Sequence, residues 1–159
     1  MERGMNRFSV PKVLGDMISL LPAYPGSVLF VSALNVILTP RLPEDVREMI
    51  LGKQLRLTIM DARLDFNFVW TKGGFVAGWG NVEPDMIISA SAYDFYQLSR
   101  REEDPDTLFF SRRLVMAGDT ELGLVLKNTI DAMDLNVFEL VKSVPVRKFL
   151  ELIPGYKKP

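Results

Sequence analysis

The chain has 159 residues, 48 % of them hydrophobic and 25 % charged, which gives length for one domain with a real core and is too apolar for disorder. It contains no cysteine and no histidine. Disulfides, thiolate nucleophiles, Cys/His zinc sites, Ser-His-Asp triads and imidazole proton shuttles are therefore excluded, and any catalysis would fall to carboxylates, Lys, Tyr, Ser or Thr. The net charge of −1 is unevenly spread. Residues 1–15 carry +2 (three basic, one acidic), 142–159 carry +4 (five basic, one acidic) and 16–141 carry −7. The central body thus lacks the basic face that a nucleic-acid binder needs, while the two ends suit anionic lipid headgroups.

Along the chain, Val13, Leu14, Met17, Ile18 and Leu21 recur at helical spacing and predict an amphipathic helix over 10–21, ended by Pro22. Residues 1–10 show no apolar signal core, which leaves the cytoplasm as the expected compartment. Residues 27–38 are helix-length and almost uniformly apolar, so this segment is expected to be buried or to meet something greasy. Its apolar run, 28–38, is 11 residues long, whereas a bilayer-spanning helix needs about 20. Residues 43–53 (PEDVREMILGK) predict a short helix, with Pro43 in the first turn, Glu44 and Asp45 at its positive end and Gly52 as C-cap.

The period then falls to two. LRLTI (55–59), LDFNFVW (64–70) and FVAGW (75–79) predict a three-stranded meander, and residues 85–91 a fourth strand. A short helix over 92–100 follows, presenting Phe95 and Leu98, then a polar loop through REEDPDTLFFS and a fifth strand at 113–117. Asp119 is placed to N-cap a helix running to about Asp134. Residues 137–143 and 146–153 predict two further short helices before the basic tail GYKKP.

Helix 119–134 carries an over-wide apolar stripe of Leu122, Val125, Leu126, Thr129, Ile130 and Met133, broadened by Leu124, with Glu121, Lys127, Asn128, Asp131 and Asp134 left for water. Burial between a sheet and other helices explains such a stripe, and so does the wall of an apolar ligand cavity. Other candidate sites are weaker. Glu102, Glu103, Asp104 and Asp106 supply four carboxylates, but without EF-hand order or its glycine. Asp61 and Asp65 flank a turn, where turn chemistry already favours Asp. KGGFVAGWG (72–80) has no GxGxxG opening a helix, and Gly78 is expected to make room for a ligand or for a close backbone.

DMIISASAYDFYQL (85–98) followed by LFFSRRLVMAGDTELGLVLKN (108–128) resembles the strand, helix, strand and helix signature of the sterol carrier protein type 2 domain family. The resemblance covers about residues 53–131. Its matching elements are Asp85 with Ile87, Ser89 and Ser91, then Phe95, Leu98, Phe109, Leu114, Gly118-Asp119, Leu122 and Lys127. Many members have Gly where this chain has Arg112, so the local bend or the tunnel mouth is expected to differ there. The implied fold is α+β: a five-stranded sheet covered on one face by helices, with extra N- and C-terminal helices and a hydrophobic tunnel between the layers.

On that frame the chain divides as one domain, 1–159, with N-terminal helices to 52, a lipid-binding core over 53–134, and C-terminal helices with a basic tail over 135–159. The expected tunnel wall comprises Phe66, Phe68, Trp70, Phe75, Ala77, Trp79, Ile87, Leu114 and Met116 with the helical stripe of Leu122, Val125, Leu126, Thr129, Ile130 and Met133. The stretch 109–134 further resembles the bacterial accessory factors of ubiquinone biosynthesis. That resemblance implies a non-catalytic protein without cofactor or metal. It would serve the oxygen-independent pathway by holding a polyprenyl ubiquinone precursor or a phospholipid, with UbiU- and UbiV-type hydroxylase proteins as partners and a peripheral membrane contact. A general lipid carrier, a membrane-docking adaptor and a carboxylate-dependent enzyme stay open as other readings.

Overall fold

The computed structural model describes residues 23–132. The helices expected over 10–21, 137–143 and 146–153, the basic tail, and Met133 and Asp134 lie outside these residues. The first described element is helix α1 (Ala23–Ile37), followed by a 3-10 turn (Thr39–Arg41) and helix α2 (Glu44–Ile50). Strands β1 (Gln54–Ile59), β2 (Leu64–Thr71), β3 (Gly74–Ala77) and β4 (Met86–Ala90) come next. Helices α3 (Ala92–Ser99) and α4 (Pro105–Phe110), strand β5 (Val115–Gly118) and helix α5 (Thr120–Ala132) complete them.

The five strands form one sheet in the order β3-β2-β1-β4-β5, in which β1 and β4 are parallel and every other pair is antiparallel. Register places Phe75 beside Trp70, Phe66 beside Leu57, Leu57 beside Ile88, and Ile88 beside Met116. Because side chains alternate, these residues share one face, and that face is buried under the helices. Phe68, Trp70, Phe75, Leu55 and Met86 join Val31, Val46, Ile50, Leu122 and Leu126 in the main core. The other face carries Arg56 bonded to Asn67, Thr58 bonded to Asp65, and the exposed Val76 and Val115.

The apolar helix α1 meets the rest of the protein along two stripes, while Val28 and Val36 face outward. Ser27, Val31 and Asn35 follow the β2–β3 edge: the Ser27 hydroxyl accepts from the Asn67 backbone N–H at 2.9 Å. The Asn35 amide both accepts from the Phe75 N–H (2.7 Å) and donates to the Phe75 carbonyl (2.8 Å). Asn35 thus pairs with the edge strand as another strand would, satisfying backbone groups that an open edge leaves bare. Its second stripe, Phe30, Leu34 and Leu38, looks elsewhere and is described below.

Caps fall where polar side chains permit. Asp119 accepts from the Leu122 N–H at 3.0 Å, as expected, and Ser91 caps α3 through the Asp94 N–H. Leu51 takes the C-cap of α2, with Gly52 following it. The segment expected as a polar loop contains α4, because Asp104 caps it through the Thr107 N–H and Pro105 supplies a preset first-turn φ. Three exposed arginines, Arg63 (φ 52), Arg101 (φ 55) and Arg112 (φ 58), take left-handed backbone conformations. At Arg112 this is a conformation that a glycine adopts without strain.

Gly118 ends β5 at φ 92, with its ideal Cβ position only 2.3 Å from the Asp85 carbonyl oxygen. The Asp119 N–H donates to that same carbonyl at 2.8 Å. Gly118→Ala is therefore expected to destabilise the protein by at least about 2 kcal/mol, read as a lower urea midpoint at unchanged m-value.

Candidate functional site

A cavity of about 550 Å³ opens between the helical layer and the sheet. Phe30 and Leu34 of α1, with Leu38 just past its end, form one wall, and Leu57, Ile88 and Met116 from β1, β4 and β5 form the floor, with Leu114 beside them. Phe95 and Leu98 of α3 and Gly123, Lys127, Ile130 and Asp131 of α5 close the remaining sides. The floor uses only one half of the sheet. Over β2 and β3 the layers meet: Phe30 stacks on Phe66 with centroids 4.9 Å apart and lies against Phe68 at 5.4 Å. Over β1, β4 and β5 they separate, and the space is left there.

This placement sorts the expected tunnel residues. Leu114, Met116 and Ile130 line the cavity. Phe68, Trp70, Phe75, Leu122 and Leu126 are fully packed core, with Ala77 and Val125 against it. Phe66 lies one layer back, under Phe30, and the Thr129 hydroxyl is turned to the Val125 carbonyl of its own helix at 2.7 Å. Two assignments are corrected. Trp79 follows Gly78 out of the strand, which ends at Ala77, and is 62 % exposed. Ile87 pairs with Arg56 and Ala117 on the opposite sheet face, and Ile88 takes the cavity position.

The Gly78 Cβ position lies 3.3 Å from the Phe68 backbone nitrogen, and its N–H donates to the Asn67 carbonyl at 2.7 Å. Gly78 therefore serves close backbone approach. Lys127, expected to face water, has a side chain only 10 % exposed; it lines the cavity and pairs with Asp106.

The charged residues of the lining are Arg101, Glu102, Glu103, Asp104, Lys127 and Asp131. Each acid there is engaged. Arg101 reaches Asp131 at 3.4 Å, Arg100 holds Glu102 at 2.7 Å, Arg113 holds Glu103 at 3.3 Å, and Asp104 caps α4. Arg113 also binds the buried Asp94, its Nε donating at 3.0 Å. Burial lowers the Arg113 pKa, but the bonds and charges of Asp94 and Glu103 outweigh it, so the guanidinium is held above its usual value. Asp61 accepts from the Ala92 N–H at the start of α3, and Asp65 accepts from the Thr58 hydroxyl across the β1–β2 pair, so both are engaged away from the cavity lining. Among the described residues no group of three or more acidic side chains is placed to hold a metal ion, and no helix is long and apolar enough to cross a membrane.

A largely apolar chamber between a sheet and helices, bordered by ion-paired side chains, is suited to hold a greasy molecule. The pattern of the SCP-2 sterol transfer family matches residues 38–131, more than half of the chain. The chain belongs to the SCP-2 sterol transfer family. Within it, the chain is similar to the ubiquinone biosynthesis accessory factor UbiT of Escherichia coli strain K12, at 34 % identity over 125 residues, 79 % of this chain and 71 % of that protein. The corresponding protein of Escherichia coli O157:H7 matches to the same extent. Among solved structures, the UbiJ-SCP2 ubiquinone synthesis protein superimposes with a TM-score of 0.54 at 22 % identity, covering 68 % of this chain and 95 % of that one. That likeness is one of fold. The SCP-2 fold accounts for the five strands, the helix-covered face and the helix capped by Asp119.

Sequence periodicity missed Phe30, Leu34, Leu38, Leu57 and Ile88 as lining. The signal for α1 was present, since Phe30, Leu34 and Leu38 recur every four residues beside a second apolar stripe. A helix buried along two stripes must meet two surfaces.

Proposed function

We propose that this protein is an accessory factor of ubiquinone biosynthesis that holds a lipid in the 550 Å³ cavity. The chain of the lipid would lie against Phe30, Leu34, Leu57, Ile88, Leu114 and Met116. The observation that carries the reading is the 34 % identity to UbiT over 79 % of the chain, joined to a cavity floored by apolar side chains. In this proposal the cargo is a polyprenyl ubiquinone precursor or a phospholipid, and the factor works in the oxygen-independent pathway. Partners are hydroxylases of the UbiU and UbiV type, which take the ring from the presented lipid. The protein itself is not an enzyme: its role is to sequester the chain, so cavity shape matters more than any titratable group.

A strain lacking its own UbiT, grown without oxygen, tests this by its ubiquinone content. The parent chain is expected to restore ubiquinone, and so are Asp61→Asn, Asp65→Asn and Asp131→Asn, which remove a charge at nearly constant shape. Failure of the folded, lipid-loaded parent to restore it would leave a general lipid carrier. Loss of activity in one Asp→Asn variant that stays folded and loaded would point to a carboxylate-dependent enzyme instead.

A further inference from the structure

Phe110 is the most exposed large hydrophobic residue described, at 80 %. It ends α4 beside Phe109, whose ring lies edge to face with it at 5.6 Å, and is followed by the exposed Ser111 and Arg112. Helix α4 cannot swing this ring inward, because Leu108 is fully buried against Ala90 and Leu114 and fixes the helix. The same helix starts at Pro105, which lines the cavity; helical rise places Phe110 roughly 8 Å further on. Charge nearby is already matched. Lys127 pairs with Asp106, Arg113 with Glu103 and Asp94, Arg100 with Glu102, and Asp104 is spent on the cap. Arg112 has no ion pair among the described residues, which leaves a rigid tip of exposed aromatic and one uncompensated cation.

We propose that the Phe110–Arg112 tip is where the protein docks on an anionic phospholipid bilayer. An aromatic ring on a fixed stem enters the headgroup region, and an adjacent arginine meets lipid phosphate. The inference rests on the lipid-holding reading, since a docking tip on the helix whose first residue lines the cavity serves a protein that exchanges lipid with a membrane.

Cosedimentation of the full chain with phosphatidylcholine vesicles, with and without phosphatidylglycerol, tests it. Phe110→Ser is expected to weaken binding to the anionic vesicles about tenfold. Arg112→Asn, which keeps a residue tolerant of left-handed φ, is expected to weaken it about fivefold at low salt and little at high salt. Both variants should keep the parent's melting temperature and copurifying lipid. Three outcomes would overturn the tip: a parent that does not bind anionic vesicles, Phe110→Ser binding as the parent does because the basic ends carry all the affinity, or Phe110→Ser changing self-association and not vesicle binding. An empty cavity in the purified parent would refute the lipid-holding reading separately, whichever way the vesicles report.

Discussion

The double variant Ile88→Trp/Met116→Trp is expected to lose copurifying lipid at least about tenfold while keeping its fold. The two residues are register partners on adjacent strands, and both line the floor of the cavity. Two indoles there would stand side by side in existing space, so the added volume displaces cargo before it displaces protein. The same swap over β2 would behave differently, because Phe68 and Trp70 are already packed against Phe75 and the added bulk would strain the core. Lipid extraction gives the loading, circular dichroism and melting give the fold, and ubiquinone content of the complemented strain should fall with the loading.

Arg113→Met is expected to cost about 3 kcal/mol. Asp94 is 6 % exposed, and Arg113 is its cationic partner, with Ser91 as its hydroxyl partner. Removing the guanidinium leaves a nearly buried carboxylate without compensation, while the Met stem preserves most of the packing. The double variant Asp94→Asn/Arg113→Met removes the orphaned charge and should recover more than half of the loss, which a double-mutant cycle in urea measures. Were the single variant as stable as the parent, the link between α3, β5 and the 101–105 segment would owe nothing to this pair. The cavity wall would then be held by Leu108 and its neighbours alone.

The strands and the capped helix were readable because each rests on a local signal. Leu64, Phe66, Phe68 and Trp70 alternate cleanly and do share a face, and Asp119 does cap α5. Ile87 was misplaced for a physical reason: Met86, Ile87 and Ile88 are three apolar residues in a row, so alternation alone does not fix which of them points inward. Pairing with β1 and β5 fixes it. Helix α4 was hidden because its polar start and proline look like a loop until the Asp104 cap and Leu108 burial are seen together. The stripe on α5 was legible, but its destination was not. Leu122 and Leu126 fill core, whereas Gly123, Lys127 and Ile130 face the cavity. A cavity exists where two layers fail to meet, and that depends on which half of the sheet α1 and α2 cover, a matter periodicity does not encode.

The account turns on the cavity holding a lipid, and native mass spectrometry of the full chain purified from a bacterial host asks this directly. The expected result is a second species heavier than the apoprotein by one lipid mass, released by organic extraction and missing from Ile88→Trp/Met116→Trp. A single species at the apoprotein mass, with nothing recovered in the extract from folded protein, would contradict it.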